Sequence, residues 1–367
     1  MEKSLKAVQV VVTAGDGIGP EVVAAGAQVL EEVASLYDLQ VTQVERPLGG
    51  GSIDKFGEPC TDEVLQDALD ADAVLLGAVG GPQWDDPQAR FTPEEGVLRL
   101  REGLGLYANV RPVRVHDALL GRSPLRPEVV RGTDLVIVRE LTGGLYFGRP
   151  KELRTVDGEP AAVDTLLYRR SEVERIVRHG FKWASARRGR LLSVDKFNVL
   201  VTGRFWRDIA TEISRQYPDI EFSTMLADAF AAALVQRPTD WDVVVTENTF
   251  GDFLSDEAGV FTGSLGMLPS ASLGDGPHAL YEPVHGSAPD IAGDHAANPL
   301  ATILSVALMF RHSFGLSQAA TAIESAVEWT LNDGFPARDI AEEGARLVDT
   351  QSMTAAVIAR IEGPSTN

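Results

Sequence analysis

The chain of 367 residues carries its most chemically suggestive side chains where apolar runs end. In DVVVTENTFGDFLSDEAG a strand-like run closes near Thr246, and Asp252 and Asp256 follow four residues apart, so on a helix they face the same way. Two carboxylates on adjacent turns at a strand's carboxyl end suit a hard divalent cation such as Mg²⁺ or Mn²⁺, which prefers oxygen ligands. A solvated acidic helix face has the same spacing. In DLVIVRELTGGLYFGRP a near-continuous apolar run stops at Arg139 and Glu140, and a glycine turn then presents Tyr146. Such a run is buried on both faces, which sends its terminal arginine into a crevice, where a guanidinium fork grips carboxylates. A structural ion pair between Arg139 and Glu140 is the alternative. RLREGLGLYANVRPVRV adds Arg101 and Arg111, each as readily a surface charge. RLLSVDKFNVL sets Lys196 just past another run, where desolvation lowers an amine toward a useful base.

These residues need a scaffold that brings strand ends together. Short β-branched runs at 8–12, 41–45, 73–77, 134–138, 190–194, 219–223 and 242–246 alternate with helix-like segments, the pattern of an α/β fold with a largely parallel sheet. Val22, Gly26, Val29, Val33 and Leu36 fall on one helical face, and Ser171 with Glu174 has capping-box spacing. Glycine-rich knots at 49–51, 77–81, 143–148 and 263–266 punctuate the strand ends, where α/β folds place ligands. No repeat, low-complexity tract or proline-rich linker marks a domain boundary.

The stretch AGDGIGPEV resembles a dinucleotide fingerprint but fails it by one residue. Gly15, Gly17 and Gly19 are followed at once by Pro20, and the next acid at a strand end, Glu45, lies too far on. A tight glycine turn feeding a helix whose first turn holds Pro20 and Glu21 accounts for it.

Composition narrows the classes. A formal charge of −20 repels nucleic acid and anionic membrane surfaces, so an acidic substrate must meet a local basic cluster. Cys60 is the single cysteine, which excludes an internal disulfide and a multi-cysteine metal site and fits a reducing compartment. It is expected to be a plain packed or surface thiol. LATILSVALMF is too short to span a bilayer and the start of the chain has no long apolar segment, so a cytoplasmic protein is expected.

As a set, GDGIGPE, LLGAVGGP, LYANVRP, VRELTGGLYFG, SVDKFNVL, NTFGDFLSD, GSLGMLPSAS and EPVHGSAPDIAG occur in the order seen in the β-decarboxylating isocitrate/isopropylmalate dehydrogenase family, which the chain resembles from about residue 8 to 310. RELTGGLYFG points to the isopropylmalate branch, because the sibling branches carry an N-T-E or G-T-E element after the same Arg-Glu. The resemblance implies a two-domain isopropylmalate/isocitrate dehydrogenase-like fold with parallel and mixed sheets flanked by helices, and not a Rossmann fold. It implies one domain of 1–106 plus 264–367 that binds NAD, and another of 107–263 that carries the metal site and the dimer interface.

The activity implied is NAD-dependent oxidation and decarboxylation of 3-isopropylmalate in leucine biosynthesis, assisted by Mg²⁺ or Mn²⁺. Asp252 and Asp256 match two metal ligands; Asp228, from the partner subunit of a homodimer, matches the third and also lies against substrate. Lys196, likewise from the partner, matches the base, and Tyr146 the acid that protonates the enol carbon. Arg101, Arg111 and Arg139 match the carboxylate clamp, while Glu94, Val97 and Leu98 match the residues facing the alkyl branch. Leucine is usual at the position of Val97, so a wider pocket is expected, and a sibling acting on D-malate, tartrate or another 3-alkylmalate is the alternative. Phe197 and Glu247 are bulkier or more acidic than the pattern. For the cofactor, Ile18, His285, Gly286, Ser287, Ala288 and Asn298 match the NAD wall, and Asp290 matches the acid that holds the ribose hydroxyl and disfavours NADP. From a different class, a silent binder of dicarboxylates would need neither Lys196 nor Tyr146.

Overall fold

The computed structural model describes residues 6–363. Among them the strands run, in chain order, β1 (Lys6–Gly15), β2 (Leu39–Glu45), β3 (Ala73–Ala78), β4 (Ala108–Arg114), β5 (Asp134–Glu140), β6 (Glu152–Val156), β7 (Glu159–Val163), β8 (Arg190–Asp195), β9 (Glu221–Leu226), β10 (Val243–Thr246), β11 (Pro269–Leu273) and β12 (Ala279–Pro283). Two compact units result. One holds the described stretch up to Leu106, His116–Arg126 and the chain from Gly259 on; the other holds Tyr107–Val115 and Pro127–Ala258.

In the first unit the strand order is β2-β1-β3-β12-β11, parallel except for the β11–β12 pair. The helix Gly19–Leu36 packs on it through Val22, Gly26, Val29 and Val33, all buried, whereas Leu36 in its last turn is exposed. Each fully buried valine or leucine of that face contributes roughly 1.5–3 kcal/mol. The apolar run LATILSVALMF forms the helix Leu300–His312, buried from Leu300 to Phe310; an all-round apolar helix of 13 residues is a core element. Among the described residues no helix is long and apolar enough to cross a membrane. Cys60 is fully buried among Leu48, Val64 and Leu100, and burial pushes its thiol up to about 11, which leaves it an inert packing group.

In the second unit the order is β4-β5-β10-β8-β9, parallel except for β4 against β5. The central β5 and β10 are buried almost end to end, as their apolar runs require. Register then fixes the chemistry: Thr246 stands beside Arg139 on one side and Val194 on the other, so the carboxyl ends of β5, β10 and β8 emerge side by side. The sequence runs at 134–138, 190–194 and 242–246 fall on these strands, while the one at 219–223 starts two residues early. β4, β11 and β12 carry no such run. Pro112 and two arginines break the pattern of β4, and the hairpin β6–β7 is so exposed that no apolar periodicity marks it.

The helix Arg170–Ser185 begins before the expected capping box. Glu172, not Glu174, reaches back to the N–H of Arg169 (2.7 Å), and Glu174 instead pairs with Arg170 one turn away (2.6 Å). The difference arises because Arg169, in extended conformation, is the residue whose free amide starts the helix.

Candidate active site

In the second unit Asp252 and Asp256 lie on the helix Asn248–Gly259, which begins two residues after β10. Arg139, at the end of β5, runs alongside that helix: Nη1 donates to Asp252 Oδ1, while Nε (3.0 Å) and Nη2 (2.8 Å) both donate to Asn248 Oδ1. Gly251 makes the approach possible, since a Cβ there would stand 2.6 Å from Arg139 Cγ. Arg111, from β4, donates through Nε to Asn109 Oδ1 (2.7 Å) and through Nη1 to Ser255 Oγ (2.6 Å) and Asp256 Oδ1 (3.1 Å). Its Nη2 lies 3.5 Å from Asp252 Oδ1. Tyr146 OH donates to the other oxygen of Asp252 (3.0 Å). Two guanidiniums, two carboxylates and a phenol thus converge at the strand ends.

The electrostatics follow from burial. Desolvation, reinforced by the Asp252 charge, pushes the Tyr146 phenol up to about 12, so it stays a proton donor through neutral pH. Burial also raises Asp256, against the lowering pull of Arg111. The suspected Arg139–Glu140 ion pair does not form, because neighbouring strand residues point to opposite faces. Glu140, fully buried, instead accepts from the N–H groups of Thr142 (3.0 Å) and Gly143 (2.8 Å) and from Thr142 Oγ1 (2.7 Å), pinning the turn that presents Tyr146. Burial raises its pKa.

Lys196 follows β8 and donates to Asp228 Oδ1 at 2.5 Å. Asp228, in the first turn of the helix Ala227–Gln236, has its side chain 67% exposed, and the hydrogen bond from Lys196 holds its carboxyl below the usual range. Among the described residues no three His, Cys, Asp or Glu side chains gather as a metal cluster, so Asp228 does not join Asp252 and Asp256 within one chain. Phe197, the bulky neighbour of the lysine, stacks under Arg207 (3.8 Å), which is paired with Asp195 (2.8 Å).

In the first unit the GDGIGP turn abuts the HGSAPD loop. Ile18 N–H donates to Ser287 O (2.8 Å), and at Gly17 (φ +58°) a Cβ would stand 2.0 Å from that same oxygen. Ile18 is buried with Val22 and Ala297, against Ala288 and Ile291. Asp16, buried, accepts from the N–H groups of Gly50 (2.8 Å), Gly51 (2.9 Å) and Gly80 (2.9 Å) and so ties two of the glycine knots to the turn. In the loop, His285 Nδ1 contacts Gly286 O (2.9 Å) while its Nε2 is sheltered without a partner; burial lowers the imidazole pKa. Gly286 has open space where a side chain would stand, Ala288 holds a left-handed conformation (φ +37°), and Asp290 is exposed. Asn298 donates to Asp339 Oδ2 (3.1 Å) and accepts from Leu300 N–H (3.1 Å), which starts the core helix.

The helix Glu94–Gly103 also belongs to this unit. Arg101, 9% exposed, donates to Glu282 (2.7 Å), while its Nε is buried without a partner. Glu94 is exposed and Leu98 half-buried, but Val97 is 6% exposed and packs into the cluster of Leu48, Val64 and Leu104. Asn109, Asn248 and Ser255, which lie inside the motifs LYANVRP and NTFGDFLSD without an assigned role, and Tyr168, which lies outside them, hold the site from behind. The signal that could have found Asn248 is its place directly past the strand end beside Arg139.

A family model described as isocitrate/isopropylmalate dehydrogenase matches residues 9–357. The chain is 54% identical over 350 residues to the 3-isopropylmalate dehydrogenase of Shouchella clausii (strain KSM-K16), covering 95% of this chain and 96% of that relative. It is 49% identical over 358 residues to the enzyme of that name from Aquifex aeolicus (strain VF5), covering 98% of each. Among solved structures, isocitrate dehydrogenase from Methylococcus capsulatus superposes with a TM-score of 0.86 at 35% identity, covering 96% of this chain and 99% of that one. A β-decarboxylating dehydrogenase from Thermococcus kodakarensis in its apo form gives 0.77 at 36% identity, covering 96% of each.

Proposed function

The chain belongs to the isocitrate/isopropylmalate dehydrogenase family, and from that premise we propose that it oxidises 3-isopropylmalate at the C2 hydroxyl with NAD and releases CO₂, giving 4-methyl-2-oxopentanoate for leucine biosynthesis. The observation that carries the reading is the convergence of Arg139, Arg111, Asp252, Asp256 and Tyr146 at adjoining strand ends.

The donor set fits the implied groups. Two hard carboxylates here neutralise two guanidiniums, so a divalent cation and a dicarboxylate bound together match both sets in charge. The unpartnered His285 Nε2 and the open Gly286 fit a dinucleotide against the loop. When bound, Mg²⁺ or Mn²⁺ supplies Lewis acidity at the C2 oxygen and NAD accepts the hydride. Arg101, Arg111 and Arg139 grip the substrate carboxylates, and Glu94 and Leu98 face the alkyl branch. Lys196 takes the hydroxyl proton, and Tyr146, kept neutral by its environment, delivers a proton to the enol carbon. Asp290 favours NAD over NADP, with Ile18, His285, Gly286, Ser287, Ala288 and Asn298 forming the rest of the cofactor wall.

The separation of the Lys196–Asp228 pair from Asp252 and Asp256 supports a homodimer in which each chain lends that pair to its partner. Val199 and Val201 beside Lys196, and Phe253 on the metal helix, are exposed apolar residues of the kind an interface covers. The expected domains of 1–106 plus 264–367 and of 107–263 correspond to the two units except that His116–Arg126 and the residues from Gly259 fall in the first; that first unit then binds NAD, and the second holds the metal and the dimer contact, in a cytoplasmic enzyme. Val97 belongs with Glu94 and Leu98 in the alkyl-facing set, and a sibling activity on D-malate, tartrate or another 3-alkylmalate is the alternative that its smaller side chain raises.

The deciding experiment offers 3-isopropylmalate, D-malate and tartrate with NAD or NADP, with and without Mn²⁺. NADH formation on 3-isopropylmalate that needs the metal is expected, and its absence overturns the reading.

A further inference from the structure

We propose that Asn248 is a positioning residue that sets the substrate-gripping Arg139 and the Tyr146 turn together, an inference resting on the dehydrogenase reading above. Asn248 is fully buried, and both ends of its amide are in use. Oδ1 accepts Nε (3.0 Å) and Nη2 (2.8 Å) of Arg139, and Nδ2 donates to Gly143 O (3.1 Å) in the turn that leads to Tyr146. Guanidinium donors on one side and a carbonyl acceptor on the other fix which end is oxygen.

With the Nε–Nη2 edge of Arg139 held by Asn248, its Nη1 is aimed at the carboxylate group on the metal helix. The backbone of Asn248 is fixed in turn: its N–H donates to Tyr168 OH (2.9 Å). Tyr168 also lies under the turn itself, for a Cβ on Gly143 would stand 2.6 Å from its ring and one on Gly144 2.7 Å from its hydroxyl. One buried amide thereby links the first residue of the metal helix, the arginine and the tyrosine turn, none of which is adjacent in sequence. An amide suits this, because one end accepts and the other donates.

Variants separate the two grips. Asn248→Asp keeps the acceptor for Arg139 but sets a second acceptor against Gly143 O; Asn248→Ala loses both. The KM for 3-isopropylmalate should rise about tenfold or more in N248A and stay within about threefold of wild type in N248D, whereas kcat should fall about tenfold or more in both. A merely structural role lowers the amount of folded enzyme and cannot split KM from kcat in this way. The affinity for NAD should hold in both, because the cofactor loop belongs to the other unit.

A readout free of turnover runs beside it. The chain has six tyrosines, so 3-fluorotyrosine labelling with Tyr146→Phe for assignment gives a resolved fluorine signal for Tyr146. That signal should move in N248A and in N248D. Equal KM in N248A and N248D, or an unmoved Tyr146 signal in N248D, overturns the coupling. Wild-type protein without turnover overturns the dehydrogenase reading instead, while the fluorine signal still judges Asn248. If N248A does not fold, Tyr168→Phe, which removes the hydroxyl from the Asn248 N–H and from Glu247, must shift the Tyr146 signal or the proposal fails.

Discussion

Tyr146 and Asp252 show how one hydrogen bond sets a side chain's chemistry. The phenol donates to a carboxylate at 3.0 Å, and burial together with that negative charge disfavours its ionised form. The folded-state pKa is thus raised above the unfolded value, so the contribution to stability is present below about pH 10 and is lost as pH rises through about 12. Alkaline spectroscopic titration of the wild type minus Tyr146→Phe should accordingly show a component near 12, and kcat in that variant should fall by about tenfold or more with KM little changed. Asp228 has the opposite sign: the bond from Lys196 depresses its pKa, so the pair is intact above the ordinary carboxylate range and weakens as pH falls. In Lys196→Met the Asp228 carboxyl, followed by NMR, should titrate at higher pH than in the wild type. Arg139, Lys196 and the Asp252–Asp256 pair were legible in the sequence because each follows an apolar run. Their partners were not, since Arg139 and Asn248 are joined only by folding.

At the level of elements, the glycine turn after β1 illustrates how far a motif can be read. Its spacing excluded a Rossmann fingerprint, and its backbone now lies against Ser287 as a wall, with Asp16 binding three amides of two other loops. Gly17→Ala should raise KM for NAD and lower the melting temperature, because φ +58° and a contact of 2.0 Å to Ser287 O leave no room for a methyl group; strain of this kind costs on the order of 1–3 kcal/mol. Differential scanning calorimetry beside NAD titration checks both. β4 was hidden by Pro112 and its arginines, yet it is the strand that places Arg111 between Ser255 and Asp256. Periodicity finds strands whose apolar faces dominate, and a strand that carries a site gives up part of that signal.

For the whole molecule, the charge of −20 leaves an acidic substrate dependent on local arginines, and the buried Arg111 and Arg139 are paired with Asp252 and Asp256. The shared-site proposal has a direct test. Lys196→Ala and Asp252→Asn should each be inactive alone, while unfolding and refolding them together should restore about a quarter of wild-type turnover, since half of randomly assembled dimers are mixed and each carries one intact site. Light scattering should give a mass of twice 39.4 kDa. No restoration on mixing would place both residues in one chain's site. The sequence by itself determined the α/β class, the family and the reacting residue types, because these are written in local runs, spacings and motif order. Only the tertiary structure decided that Arg139 parts from Glu140, that Val97 faces the core, and that Asn248 joins the arginine to the tyrosine turn. Those outcomes depend on strand register and on close approach between segments about a hundred residues apart, for which a linear pattern carries no distance.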